Sequence, residues 1–254
     1  TSPIVISLKK GPLEKDFIDN NLKVIDIEEI FFNKQNFEKV AKNFDLVIMH
    51  SWCYKLLGKY SSTDLPPMIW YTHEAFEQSI FNSKYSIIRE TANSMTECWT
   101  GSPLTQRGLK KICPDLDIKL LLYGVEDIKL PEVKKSNKIE FLFPATIQHR
   151  KGQDVLLKAI RELPKETIEK ANFTIIGDCN QKYLEQILKI SKNIPSVKII
   201  SHTIPFEELM KYYAKADCIV IPSRFDPMPM VATYAFMFKK LCIMSDVTGT
   251  ALLV

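Results

Sequence analysis

The residues best equipped for chemistry in this chain fall into three short clusters. Arg150-Lys151-Gly152 follows an apolar run, Ile139 to Phe143, and immediately precedes a helical pattern. Free backbone N–H groups, the positive end of a helix dipole and a lysine together make an anion site. A solvated basic turn has the same composition. The second cluster, Ile221-Pro222-Ser223-Arg224-Phe225-Asp226-Pro227-Met228-Pro229-Met230, also follows an apolar run and leads into a helical pattern from Met228 to Phe238. Asp226 there either caps that helix, accepting from its first backbone donors, or offers a carboxylate to ligand hydroxyls. Asp246-Val247-Thr248-Gly249-Thr250 ends a later strand, and its glycine either admits a ligand close to the backbone or simply makes a turn. Third come His50 and His73, each closing an apolar run, with Glu74 after the second. At the ends of neighbouring strands they would face the crevice between two halves of the molecule. Packed or solvated rings are the alternative.

Several other chemistries find no support. No Gly-rich dinucleotide fingerprint and no P-loop lysine motif occurs. No serine sits in a Gly-x-Ser-x-Gly elbow, which weakens hydrolase readings. The cysteines, Cys53, Cys98, Cys113, Cys179, Cys218 and Cys242, are widely separated and form no Cys-x-x-Cys pair. Most lie in or beside apolar runs, as buried thiols of a reduced, cytoplasmic protein would. No ligand pair has zinc spacing, so no metal is expected.

The positioning elements alternate. Leu46–Met49, Met68–Tyr71, Lys119–Leu122, Ile139–Phe143, Phe173–Ile176, Val197–Ile200, Cys218–Ile221 and Leu241–Met244 read as strands covered on both faces. Between them lie helical patterns. Asp154 to Leu163 places Val155, Leu156, Ala159, Ile160 and Leu163 together; Tyr183 to Ile194 does so with Leu184, Ile187, Leu188 and Ile190; Phe206 to Ala216 uses Leu209, Met210 and Tyr213. Pro205-Phe206-Glu207-Glu208 is a helix-start signal. Strand–helix–strand alternation predicts parallel sheets flanked by helices. The stretch from Gly124 to Lys138 holds Pro131, acids and lysines without an apolar period, so it reads as a linker. The expected organisation is an α/β domain over 1–124, a linker over 125–137 and a second α/β domain over 138–254. Both ends look abrupt, as if a first unit and last helices were missing.

The chain has 254 residues, 46% hydrophobic and 25% charged, a soluble globular balance. Thirty-four Lys+Arg against 30 Asp+Glu leave +4, small and scattered, which gives no nucleic-acid footprint. It leaves room for weak attraction to anionic lipid or phosphate. No apolar run approaches the roughly 18 residues of a membrane helix, and Thr1 to Ser7 lack the pattern of a signal peptide.

Together these stretches resemble the retaining nucleotide-sugar glycosyltransferases of family 4, which have the GT-B fold of two facing Rossmann-like domains. The resemblance is strongest from Phe141 to Thr250. It rests on Phe141-Leu142-Phe143-Pro144-Ala145-Thr146-Ile147-Gln148-His149-Arg150-Lys151-Gly152-Gln153-Asp154, on Phe173-Thr174-Ile175-Ile176-Gly177-Asp178, on Pro205 to Leu209 through Tyr212, Ala216-Asp217 and Pro222-Ser223, and on Asp226-Pro227-Met228-Pro229-Met230-Val231 through Ser245-Asp246-Val247-Thr248-Gly249. The first half matches more loosely, through Asp45 to His50, Trp70-Tyr71-Thr72-His73-Glu74 and Gly101-Ser102.

The resemblance implies roles. Lys151 corresponds to the lysine that holds the donor diphosphate, with Arg150 beside it. Asp226 corresponds to the first acid of the two-glutamate motif, which contacts the donor sugar. Amides near Met230 and Val231 would face the diphosphate. His73 corresponds to the histidine beside the reacting centre, and Gly177, Thr203 and Ile204 to the nucleobase site. The position of the second glutamate, eight after Asp226, holds Tyr234, and the expected phosphate-binding arginine is Thr146. The N-domain's glycine-rich loop and the C-terminal crossing helix have no counterpart. The implied activity is retaining transfer from a nucleotide diphosphate sugar to a glycan or lipid-linked acceptor, as in polysaccharide biosynthesis. It needs no metal and no nucleic acid, and would run in the cytoplasm, with peripheral contact at the inner face of the membrane left open. The alternative, motivated by Tyr234, is a non-catalytic glycosyltransferase-like binding or partner module.

Overall fold

The computed structural model describes residues 3–7, 11, 13–26, 34–51, 65–74 and 85–254. The chain divides into two compact units, one of residues 1–100 and 108–119, the other of residues 101–107 and 120–254. Cys53 lies outside the described residues.

The first unit holds two parallel sheets. β1 (Ile4–Ser7) pairs with β2 (Lys23–Asp26) after α1 (Leu13–Asp19). Following α2 (Lys34–Ala41), β3 (Val47–His50), β4 (Met68–Thr72), β5 (Glu97–Thr100) and β6 (Ile118–Leu120) lie side by side in sequence order. α3 (Tyr85–Asn93) and the second half of α4 (Pro103–Ile112) complete it, residues 103–107 of α4 belonging to the other unit. The core gathers Met49, Trp70, Ile88, Ala92, Cys98, Leu109 and Ile112, with Trp70 wholly buried. The register sets His50 directly beside Tyr71 across β3 and β4.

In the second unit, five parallel strands run in the order β11-β10-β7-β8-β9. They are β7 (Ile139–Pro144), β8 (Ala171–Ile176), β9 (Val197–Ile200), β10 (Cys218–Ile221) and β11 (Leu241–Met244). The connecting helices are α5 (Gln153–Arg161), α6 (Lys165–Glu169), α7 (Gln181–Ser191), α8 (Phe206–Lys215) and α9 (Met230–Met237). Two apolar layers cover the sheet. Phe143, Leu157, Ile160, Phe173, Ile175 and Ile187 fill one face; Leu142, Ile176, Met210, Tyr213, Ile219 and Ile221 fill the other. All four residues of β10 are buried, as a central strand with continuous apolar sequence requires.

Some expectations shift. α5 does not bury Val155 and Leu163, which are exposed. Its buried face is Gln153, Asp154, Leu157 and Ile160, because two polar side chains at its start find partners inside. α7 begins earlier than expected, where the Asn180 side chain accepts from the Tyr183 amide at 3.1 Å. Its Leu188 is 50% exposed. The final strand of the first unit stops at Leu120, and Leu121 and Leu122 lie exposed beyond it. The helix after Asp226 starts two residues later than expected, at Met230.

Candidate functional site

The strand order of the second sheet reverses between β7 and β10. β7 leads on to β8 on one side, and β10 leads to β11 on the other. Loops leaving the carboxyl ends of such a strand pair splay apart, and ligands of open α/β sheets bind there. These are the two loops that carry the charged clusters.

After β7 the chain makes a 3-10 turn, His149–Lys151, and enters α5 through Gly152. Gly152 has φ 80°, and a Cβ there would collide with the carbonyl of Pro222. Only glycine allows both the left-handed turn and the close approach of the two loops. The Lys151 ammonium donates to the Asp226 carboxylate, and the Arg150 guanidinium stands 3.6 Å from the same oxygen. The lysine side chain is 16% exposed and the aspartate side chain 7%. Asp226 therefore does not cap the helix that follows: Pro229 stands at the cap position and no side-chain cap bond forms. Its backbone joins the segment after β11, accepting from the Gly249 amide at 2.9 Å and bridging Thr248.

A second ion pair locks the two loops together. Arg224 donates both guanidinium nitrogens to Asp154, each at 2.8 Å, and donates to the His149 carbonyl at 2.8 Å. The Arg224 amide donates to the Arg150 carbonyl at 2.9 Å, and Arg150 returns a bond to the Phe225 carbonyl at 2.9 Å. Tyr183 of α7 completes the clamp, donating to Asp154 at 2.8 Å. Arg224 holds the Asp154 carboxyl well below the usual carboxylate range, with Tyr183 and Lys158 adding to it against the opposing effect of burial. Burial and the bond to Asp154 push the Tyr183 phenol up to about 12. Sequence reasoning assigned no role to Asp154, Arg224 or Tyr183. The available signal was an acid in the first turn of a helix whose face had to be buried, which demands a cation from elsewhere.

The other expected residues lie around this corner. Thr146 is exposed on the loop after β7 and accepts from the Gln153 side chain at 3.0 Å. Gly177, after β8, lies against the Ala145–Thr146 backbone, where a Cβ would clash. Thr203 and Ile204 occupy the loop before α8, with Ile204 packed on the apolar layer that also receives Val231 and Tyr234. Met230 and Val231 form the first turn of α9, whose amides have no intrahelical acceptor. Tyr234 sits in an aromatic cluster, its ring 6.0 Å from Phe238 and Tyr213 and 6.1 Å from Phe206. Thus Arg150, Lys151 and Asp226 meet directly, and Val231, Tyr234 and Ile204 share one apolar layer.

His73 belongs to the first unit, just beyond β4. Its Nε2 lies 3.1 Å from Nδ1 of His50. Burial lowers the pKa of both rings, and the neighbouring His50 lowers that of His73 further, against Glu74. The described cysteines Cys98, Cys113, Cys179, Cys218 and Cys242 are free thiols. Among the described residues no group of three His, Cys, Asp or Glu is arranged to hold a metal, and no helix is long and apolar enough to cross a membrane.

Parallel α/β sheets with a charged corner at a strand-order reversal define the class, the GT-B glycosyltransferase fold. Anabaena Alr3699/HepE in complex with UDP matches with TM-score 0.78 at 16% identity, over 99% of this chain and 75% of that one. A glycosyltransferase from Rickettsia africae ESF-5 matches with TM-score 0.73 at 18% identity, over 100% of this chain and 73% of that one. The chain belongs to the family of glycosyl transferases group 1, whose family model matches residues 125–254, just over half of it.

Granule-bound starch synthase 1 of Arabidopsis thaliana is 26% identical over 109 residues, 42% of this chain and 17% of that protein. Glycogen synthase of Thermosipho africanus is 24% identical over 151 residues, 54% of this chain and 30% of that protein. An uncharacterized 41.2 kDa protein in the cps region of Klebsiella pneumoniae is 29% identical over 128 residues, 48% and 33% respectively. The chain thus spans a third or less of these curated relatives.

Proposed function

We propose that the chain transfers a sugar from a nucleotide diphosphate sugar to a glycan or lipid-linked acceptor with retention of configuration. The observation that carries this reading is the meeting of Arg150, Lys151 and Asp226 between β7 and β10. A departing nucleoside diphosphate develops negative charge, and preorganised cations and helix amides stabilise it. Lys151 and Arg150 supply the cations, so the reading invokes no metal. The amides of Met230 and Val231 would add backbone donors at the positive end of α9.

Asp226 would release Lys151 to the diphosphate and accept from sugar hydroxyls. Thr146, Gly177, Thr203, Ile204 and Tyr234 would flank the nucleoside, and His73 would stand beside the reacting centre. HepE binds UDP, which makes UDP the first donor nucleotide to try. The free thiols suit a cytoplasmic setting, where contact with the inner membrane face would bring a lipid-linked acceptor within reach. The proposed organisation keeps 1–124 and 138–254 as the two domains and 125–137 as their linker.

Calorimetric titration with UDP tests the donor site, with Lys151→Ala as its control. Binding weakened by about 1.5–3 kcal/mol in the variant, the scale of a charge-assisted contact, supports the assignment; equal affinity removes Lys151 from the site. A second reading, a non-catalytic binding module, is favoured by Tyr234, whose ring is packed into the aromatic cluster. It predicts nucleotide binding without turnover, and no turnover in Tyr234→Glu.

A further inference from the structure

The first unit contains a pair of histidines built as a single device. His50 closes β3 and lies beside Tyr71 of β4, and His73 lies two residues beyond Tyr71 on the same side. Their rings are within 15° of coplanar, with Nδ1 of His50 and Nε2 of His73 3.1 Å apart. The Tyr71 ring stands 5.6 Å from one and 4.4 Å from the other.

The backbone after His50 is also unusual. Ser51 adopts φ 50°, in the left-handed region that a serine seldom enters. It is held there by the indole of the wholly buried Trp70, which donates to the Ser51 carbonyl at 3.1 Å. Strain of this kind persists only where surrounding structure over-determines it, and it concentrates at functional sites. On the other side, the Glu74 carboxylate accepts from the His73 amide at 3.2 Å and from Thr72 Oγ1 at 2.7 Å. The backbone next to each ring is thus held in place, by the core at Ser51 and by Glu74 at His73.

We propose that His50 is a positioning residue that holds the ring plane of His73 and couples the tautomer of His73 to its own. This rests on the reading of His73 as the histidine beside the reacting centre. Two ring nitrogens at hydrogen-bond distance share one proton, and each neutral imidazole has one N–H and one bare nitrogen. If His50 Nδ1 donates, His73 Nε2 is bare and its proton is on Nδ1. If His73 Nε2 donates, His50 Nδ1 is bare and its proton is on Nε2. The two rings therefore carry the proton on the same-named nitrogen, both Nδ1 or both Nε2. The partner on one nitrogen decides what the other presents. The tautomer of His73 is in this way tied to that of His50.

Nitrogen-15 imidazole spectra of the full chain at about pH 8, above the ordinary histidine range, read this directly. The chain has only four histidines, and single substitutions assign them. Matched tautomers at His50 and His73 are expected; opposite ones overturn the pairing. In His50→Ala the His73 signals should shift from those of the wild type. In His50→Asn, whose amide stands near the position of Nδ1 and can donate or accept there, they should move back toward the wild-type values. His73 signals indifferent to both substitutions overturn the proposal.

Turnover supplies the second readout. His50→Ala should lower kcat about tenfold at unchanged donor KM, a fraction of what a general acid–base group contributes, with recovery in His50→Asn. A His73 tautomer that responds while kcat does not would overturn the positioning role. Absence of turnover in the wild type would sink the transferase reading alone, since the spectra still decide the pairing. Melting curves of both variants separate these effects from misfolding.

Discussion

Replacing Arg224 with alanine strips the guanidinium from a carboxylate that is largely shielded from water. Asp154 is 7% exposed, and Arg224 supplies two of its bonds at 2.8 Å. Breaking a buried pair by removing one partner costs about 3–5 kcal/mol. Asp154 keeps Tyr183 at 2.8 Å and Lys158 at 3.3 Å, which places the loss near the low end, about 3 kcal/mol. Because Arg224 is 35% exposed at its side chain, the reciprocal Asp154→Asn leaves a cation that solvent can serve, and about 1–2 kcal/mol is expected. The double variant should fall well short of the sum of the two losses, since the second substitution finds the pair already broken.

Urea unfolding at pH 7, followed by circular dichroism, measures each corner of this cycle. Acid gives the sign of the electrostatic part. The folded carboxyl of Asp154 is depressed, so its contribution is fully present above the unfolded aspartate pKa, about 3.9, and is lost as pH falls below that toward the folded value. The stability gap between wild type and Asp154→Asn should therefore hold from neutral pH to about 4 and narrow below it. An Arg224→Ala cost under about 1 kcal/mol, or a gap that widens in acid, would refute the reasoning.

Gly152→Ala places a Cβ against the Pro222 carbonyl at a left-handed φ; a loss of about 1–3 kcal/mol together with weakened nucleotide binding is expected in melts and titrations. Asp226→Asn should leave UDP affinity unchanged or tighter, because it releases Lys151 from its pairing, while turnover falls; calorimetry and a donor assay separate the two. Thiol reagents should modify Cys179 before Cys98 in a timed labelling experiment, since Cys98 is buried and its thiol is pushed up to about 12 by burial, then by Cys113.

The second unit was the more legible half. Val197–Ile200, Cys218–Ile221 and Leu241–Met244 appear as strands with their expected ends, because each is a continuous apolar run between breakers. Lys23–Asp26 and Glu97–Thr100 escaped notice, because polar residues at their ends leave only two apolar positions to register. The face of α5 was misplaced for a related reason. Gln153 and Asp154 are buried polar residues that hydrogen-bond Thr146, Arg224 and Tyr183, and hydrophobic periodicity is blind to them. Local reading of Asp226 left a helix cap open because Lys151, its actual partner, lies 75 positions away in sequence. The proximity of His50 and His73 followed from their place at strand ends, but their hydrogen bond depends on parallel register.

The central claim is that the corner between β7 and β10 holds a nucleoside diphosphate on Lys151. The most direct test is calorimetric titration of the chain with UDP, GDP, dTDP and ADP, repeated on Lys151→Ala. The account predicts that one of them binds in the micromolar range, about −8 kcal/mol, and binds at least tenfold more weakly to the variant. Heat-silent titrations with all four, or affinity indifferent to Lys151, would contradict it.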